Sequence, residues 1–103
     1  MSNKPFYEDC AKHAIRFYVK YPALNTKMSG MRLADIQDWH ACDDVLSRYT
    51  DSERATLVGV YRSKCAMTDA VKCISGQLRI PENNIWQLMN RFARDYAKQR
   101  GLI

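Results

Sequence analysis

The sequence predicts an all-α domain of about five helices. Three observations carry that expectation. Apolar residues recur at three- and four-residue spacing in five separate stretches. No run of alternating apolar and polar residues lies between turn signals, so no hairpin is expected. Helix start and stop residues fall between the stretches. With 103 residues, a single domain over 1–103 is the natural expectation, since domains typically run about 50–250 residues. Apolar residues make up 47% of the chain and charged residues 26%, a balance that suits a packed core and argues against disorder.

The first helix is expected over about Pro5–Tyr21. Phe6, Cys10, His13, Phe17 and Tyr21 form one row, and Tyr7, Ala11, Ile15 and Tyr18 its neighbour. Pro22 disfavours helix at the residue before it, and Ala23 to Met31 reads as a connector. The second helix is expected over about Arg32–Tyr49, with Ile36, Trp39, Cys42, Leu46 and Tyr49 on one stripe. Asp35, Asp38, Asp43 and Asp44 fall largely elsewhere, which predicts an acidic, solvated face. Thr50-Asp51-Ser52-Glu53 reads as a capping box, Thr50 serving the first turn and Glu53 reaching back to it. The third helix then runs to about Ser63, with Leu57, Val58 and Tyr61 on one side. Lys64 to Met67 breaks the pattern. Thr68 and Asp69 offer the next start signal, for a fourth helix over about Asp69–Leu78 with Val71, Ile74 and Leu78 apolar. Arg79-Ile80-Pro81 is a short turn. The fifth helix, about Glu82–Gln99, has the clearest period, through Ile85, Leu88, Met89, Phe92 and Tyr96. Gly101 is placed to end it.

Charge is basic and uneven. The chain holds 16 Lys and Arg against 11 Asp and Glu, a formal net of +5. Residues 79–103 alone carry Arg79, Arg91, Arg94, Lys98 and Arg100 against Glu82 and Asp95. Such a field attracts polyanions, nucleic acid first among them. No apolar run marks a signal peptide or a membrane span, so the expected location is cytoplasmic, with no membrane partner. Cys10, Cys42, Cys65 and Cys73 form no C-x-x-C pair and are expected as small, free, apolar residues.

The stretch from Val71 to Asn90 carries the functional expectation. A helix-turn-helix needs two helices at a fixed angle joined by a turn of a few residues. Ile74 supplies an apolar contact, Ser75 is the small residue after it, and Leu78 closes the first helix. Ile80 points inward from the turn, while Ile85 and Leu88 hold the second helix on the first. Pro81 and Glu82 suit a new helix start. The expected organisation is therefore an N-terminal helical brace over 1–49 and a helix-turn-helix subregion over 50–103.

On these residues the chain resembles the C-terminal DNA-binding region of bacterial sigma factors and related small prophage regulators. The resemblance opens at Thr50–Arg54, continues through an apolar helix ending in Tyr61-Arg62, and covers the two-helix unit, about half of the chain. Through its Lys98–Ile103 tail the chain is also similar to small proteins of Firmicute genomes and prophages, a likeness that supplies no activity. The match departs from the pattern at Arg79, where such turns usually carry Gly; a left-handed Arg costs of order 1 kcal/mol. Gly76 inside the first helix is also unfavourable.

If the motif holds, the exposed face of the fifth helix enters the major groove of double-stranded DNA. Asn83, Asn84, Gln87, Asn90 and Arg91 are then the base readers, since amides pair with adenine and Arg with guanine. Lys72, Arg79, Arg94 and Lys98, with Arg100 beside them, fit phosphate contacts. The expected function is sequence-specific DNA binding in transcription regulation, in a prophage or mobile-element setting, with a homodimer partner or RNA polymerase as further partners. No enzyme activity, catalytic residue, cofactor or metal is expected. Cys10 and His13 are three apart, but His40 and Cys42 are two apart and diverge on a straight helix, which counts against zinc. No Gly-rich oxyanion or phosphate loop accompanies any cysteine. The alternative is a small helical interaction protein that binds a transcription or phage protein instead of DNA, using the N-terminal aromatics and the acidic second helix. Trp86 stays open between packing on the N-terminal helices and anchoring a protein interface.

Overall fold

The computed structural model describes residues 6–20, 33–63 and 66–103. It is all-α: α1 (Tyr7–Lys20), α2 (Leu33–Leu46), α3 (Asp51–Arg62), α4 (Met67–Leu78) and α5 (Glu82–Gln99). The expected connector from Ala23 to Met31, the outer ends of the first helix at Pro5 and Tyr21, Arg32, Lys64 and Cys65 lie outside the described residues. No described helix is long and apolar enough to cross a membrane.

The long amphipathic α5 is the axis of the bundle. Its inner face, Ile85, Met89, Phe92, Ala93, Tyr96 and Ala97, is buried. All four other helices pack on it. α1 lies across α2, α3 and α5, and α4 rests on α3 and α5. Leu57 and Val60 of α3, Ala70 and Val71 of α4, and Cys42, Val45 and Leu46 of α2 close the core around it.

Of the two expected apolar rows, α1 buries the second, through Ala11 and Ile15, together with Ala14, and leaves the outer part of the first exposed. Ala11, Ala14 and Ile15 are buried, whereas Phe6 is 65% exposed and Cys10 is exposed. The small alanines and Ile15 fill the packed interior, while Phe17 is half-buried at its edge. Cys73 is exposed too, so of the described cysteines only Cys42 behaves as a core residue. Burial pushes its thiol well above the usual range, with Asp38 and Asp43 adding to the effect.

α2 ends at Leu46, three residues short of the expected Tyr49. Ser47 Oγ donates to the Asp44 carbonyl at 2.6 Å, and Arg48 and Tyr49 N–H close tight turns onto Val45 and Leu46. Such local bonds compete with helix continuation. The capping box of α3 forms as expected: Glu53 N–H donates to Thr50 Oγ1 at 3.1 Å, and Thr50 N–H donates to Glu53 Oε1 at 3.0 Å. α4 begins at Met67, earlier than Thr68 and Asp69 suggested, and its cap residue Ala66 makes no side-chain bond.

Two helix ends use the same left-handed geometry with different residues. After α5, Gly101 has φ +73°, and Leu102 N–H donates to Ala97 O at 2.8 Å. After α4, Arg79 has φ 56° and ψ 44°, and Ile80 N–H donates to Ser75 O at 3.2 Å. Both satisfy last-turn carbonyls in the manner of a Schellman cap. The close approach of α3 and α4 falls at Gly59, where an added Cβ would lie 2.8 Å from Ile74 Cδ1. Ser75 serves the turn instead, its hydroxyl donating to Ile80 O at 2.5 Å.

Candidate nucleic-acid interface

α4 and α5 are joined by Arg79, Ile80 and Pro81, and both pack on α3. The turn is held from inside by Ile80, partly buried against the core, and by the Ser75 hydroxyl. Pro81 caps α5, its carbonyl accepting from Asn84 N–H at 3.0 Å and Ile85 N–H at 3.3 Å. This arrangement fixes the first turns of α5 relative to α4.

With Ile85, Met89, Phe92 and Tyr96 buried, helical geometry puts Asn83, Gln87, Arg91, Arg94 and Lys98 on the opposite side. All five are exposed, as are Asn84 and Asn90 at the margins of that face. No acid lies along its centre. Glu82 sits at the first turn, and Asp95 is half-buried, accepting from the Tyr49 hydroxyl at 2.6 Å. Lys72 on α4 and Arg79 in the turn are also exposed.

The site residues differ in how they are held. Arg91 is fixed: its Nη2 lies 2.8 Å from Glu53 Oε2, and its Cζ lies 4.4 Å from the centroid of the Tyr49 ring. Glu53 is held below the usual carboxylate range, chiefly by the Thr50 backbone N–H and further by Arg91. The side chains of Arg94, Lys98, Lys72 and Arg79 have no ion-pair or hydrogen-bond partner among the described residues. Arg100 turns away from this face. Its Nε pairs with Asp38 Oδ1 at 2.9 Å and ties the end of α5 to α2.

Two clefts flank the outer face of α5. One, of about 340 Å³, lies between the start of α3 and the first turns of α5, lined by Ser52, Glu53, Thr56, Asn84, Gln87 and Arg91 over a floor that includes Ile80 and Leu88. The other brings Trp86 and Met89 against Tyr61 and Met67, with Glu8 and Asp9 of α1 at its rim. Trp86 is partly buried against the core and lines this cleft.

The acids of α2 are not the solvated face that their spacing suggested. Asp38 accepts from the Tyr96 hydroxyl at 2.7 Å, and Asp43 accepts from the Tyr18 hydroxyl at 2.9 Å. Trp39 is buried, with its ring 5.0 Å from that of Tyr18. Of the four aspartates only Asp44 is exposed. Among the described residues no group of three or more His, Cys, Asp or Glu is placed to hold a metal ion.

Glu53 and Tyr49 are the residues of this region that sequence reasoning did not connect with the site. Their partner Arg91 lies 38 positions from Glu53, so no local pattern signals the pair. Comparison of the chain with protein-family models, with curated proteins and with solved structures returns no match.

Proposed function

We propose that this protein binds double-stranded DNA through α5, as a sequence-specific regulator of transcription. One observation carries the reading. The outward face of α5 presents amides and cations without an acid along its centre, on a helix whose first turns are fixed by a three-residue turn from α4. An α-helix fits the major groove, amides there can pair with adenine, and arginine with guanine. Asn83, Asn84 and Gln87, in the first two turns, are the base readers, with Asn90 and Arg91 behind them. Arg94, Lys98, Lys72 and Arg79 are the phosphate contacts. The resemblance to sigma-factor C-terminal regions and prophage regulators agrees with this reading, and a homodimer on paired half-sites is the assembly it implies. The rival reading, a helical adaptor for another protein, draws less support. The aspartates and aromatics it relied on are largely engaged inside the fold, Asp38 with Tyr96 and Arg100, and Tyr18 with Asp43 and Trp39.

The test is fluorescence anisotropy of a labelled random-sequence duplex across about 50 to 200 mM salt, where the slope counts neutralised phosphates. Affinity should fall steeply with salt, and the Arg94→Ala, Lys98→Ala double variant should lower the slope by about 2. Absence of binding at the lowest salt would overturn the reading.

A further inference from the structure

We propose that Glu53, a residue of α3 outside the reading helix, sets Arg91 to read a base instead of binding a phosphate. The inference rests on the DNA-binding reading of α5. Both carboxylate oxygens of Glu53 are committed: Oε1 accepts from Thr50 N–H at 3.0 Å and Oε2 faces Arg91 Nη2 at 2.8 Å. This acid is therefore part of the start of α3 and not a mobile surface group. The Tyr49 ring lies against the Arg91 guanidinium, and the ring is itself fixed by its hydroxyl bond to Asp95, one turn further along α5. Arg91 remains half accessible, its side chain 50% exposed against 28% for Glu53.

Two consequences follow from elementary physics. An arginine held from two sides has less rotamer freedom to lose on binding. Its charge is also offset by a carboxylate at contact distance, so a phosphate arriving there meets Glu53 as well as Arg91 and gains little Coulomb energy. The neutral edge of guanine meets no such repulsion, and it offers two acceptors to a guanidinium that has donors to spare after pairing with one acid. Arg94, one turn later on the same face, exposed and without an acidic partner among the described residues, has the opposite character: uncompensated and suited to a phosphate. Glu53 thus lowers affinity for DNA of arbitrary sequence while supporting discrimination.

The test compares wild type, Arg94→Ala, Arg91→Ala and Glu53→Gln on the labelled random-sequence duplex across about 50 to 200 mM salt. Glutamine keeps the capping bond to Thr50 and removes the charge beside Arg91. Arg94→Ala should reduce the salt slope by about 0.9, Arg91→Ala should leave it unchanged, and Glu53→Gln should raise it by about 0.9. Selection from a random duplex library should enrich a guanine-containing site with wild type. Arg91→Ala should lose that guanine, and Glu53→Gln should blur it. An Arg91→Ala slope as low as that of Arg94→Ala would overturn the proposal, because Arg91 would then be a phosphate contact that sheds Glu53 on binding. A guanine preference unchanged in Glu53→Gln would overturn it too. If wild type itself shows no salt-dependent binding, the DNA reading fails first and the inference with it. The Arg91 and Arg94 variants can still overturn the proposal where Glu53→Gln folds poorly by circular dichroism.

Discussion

Two helices carry most of the polar side chains that the sequence offers as a site, and the fold treats them in opposite ways. α2 brings its aspartates inward: Asp38 and Asp43 accept tyrosine hydroxyls from α5 and α1. α5 keeps its amides and cations outside, over an apolar inner face. Both helices carry an apolar stripe at helical spacing, but α5 separates its apolar and polar sides far more sharply than α2 does. The difference is whether a hydroxyl or guanidinium from elsewhere in the chain reaches the polar group. A buried phenol must find an acceptor, and the aspartates of α2 supply it. The polar residues of α5 instead stay at the surface, where Arg91 remains accessible even though Glu53 and Tyr49 hold it.

The strongest way to break the inner set is alkali. Burial holds the Tyr18 hydroxyl up at about 12, with Asp43 adding to the effect, and burial holds Tyr61 at about 12 as well. Tyr49 and Tyr96 are also raised, first by burial and then by Asp95 and Asp38. These phenols ionise in the unfolded chain near 10. Their raised folded values therefore favour the native state fully below pH 10, and this contribution is lost as pH climbs from 10 toward 12 and beyond. The domain should unfold cooperatively in that window, with tyrosinate absorbance and loss of helical circular dichroism rising together. Separate transitions, phenols first and helix later, would show that the tyrosine–aspartate pairs are not built into the core.

Next in size is the axis itself. Phe92 is fully buried on the inner face of α5, so Phe92→Ala should cost about 3–5 kcal/mol in urea unfolding. In a domain whose stability is about 5–15 kcal/mol, that leaves a marginal fold. A cost under about 1 kcal/mol would mean that α5 is peripheral.

A smaller effect sharpens the comparison within α2. Asp38→Ala strands the Tyr96 hydroxyl and removes the ion pair to Arg100. It should cost about 1–3 kcal/mol. Asp44→Ala, at an exposed position whose contact is a 3.4 Å approach from Gln99, should stay within about 0.5 kcal/mol. Equal costs would mean that α2 makes no such division between structural and solvated acids.

The sequence made some of this legible and hid the rest for identifiable reasons. The bounds of α5, the Thr50–Glu53 capping box and the Gly101 stop are local signals, each read within a few residues. In α1 the row of Ala11 and Ile15 was legible, but the exposure of Phe6 and Cys10 and the burial of Ala14 were not, because side-chain hydrophobicity does not say which edge of a wide apolar face meets the neighbouring helices. The fate of Asp38 depends on Tyr96, 58 positions away, and that of Glu53 on Arg91. No period or motif encodes such pairs. Gly59 did carry a signal. A glycine inside a helical run costs about 1 kcal/mol relative to alanine, which calls for a packing reason, and the approach of Ile74 supplies it.

The smallest effect tests whether one residue serves both the fold and the ligand. Arg79 sits at the left-handed position that Gly101 fills at the end of α5. A residue with a Cβ is strained there by about 1 kcal/mol, and glycine is not. Arg79→Gly should therefore raise stability, by somewhat less than that figure because glycine also gains freedom in the unfolded chain. If Arg79 contacts phosphate, the same variant should lose about 0.9 of salt slope in DNA binding. Stability and binding would then move in opposite directions from a single substitution, which a purely structural turn would not do. A gain in melting temperature with unchanged DNA affinity would leave Arg79 as a strained cap alone and confine the phosphate contacts to Lys72, Arg94 and Lys98.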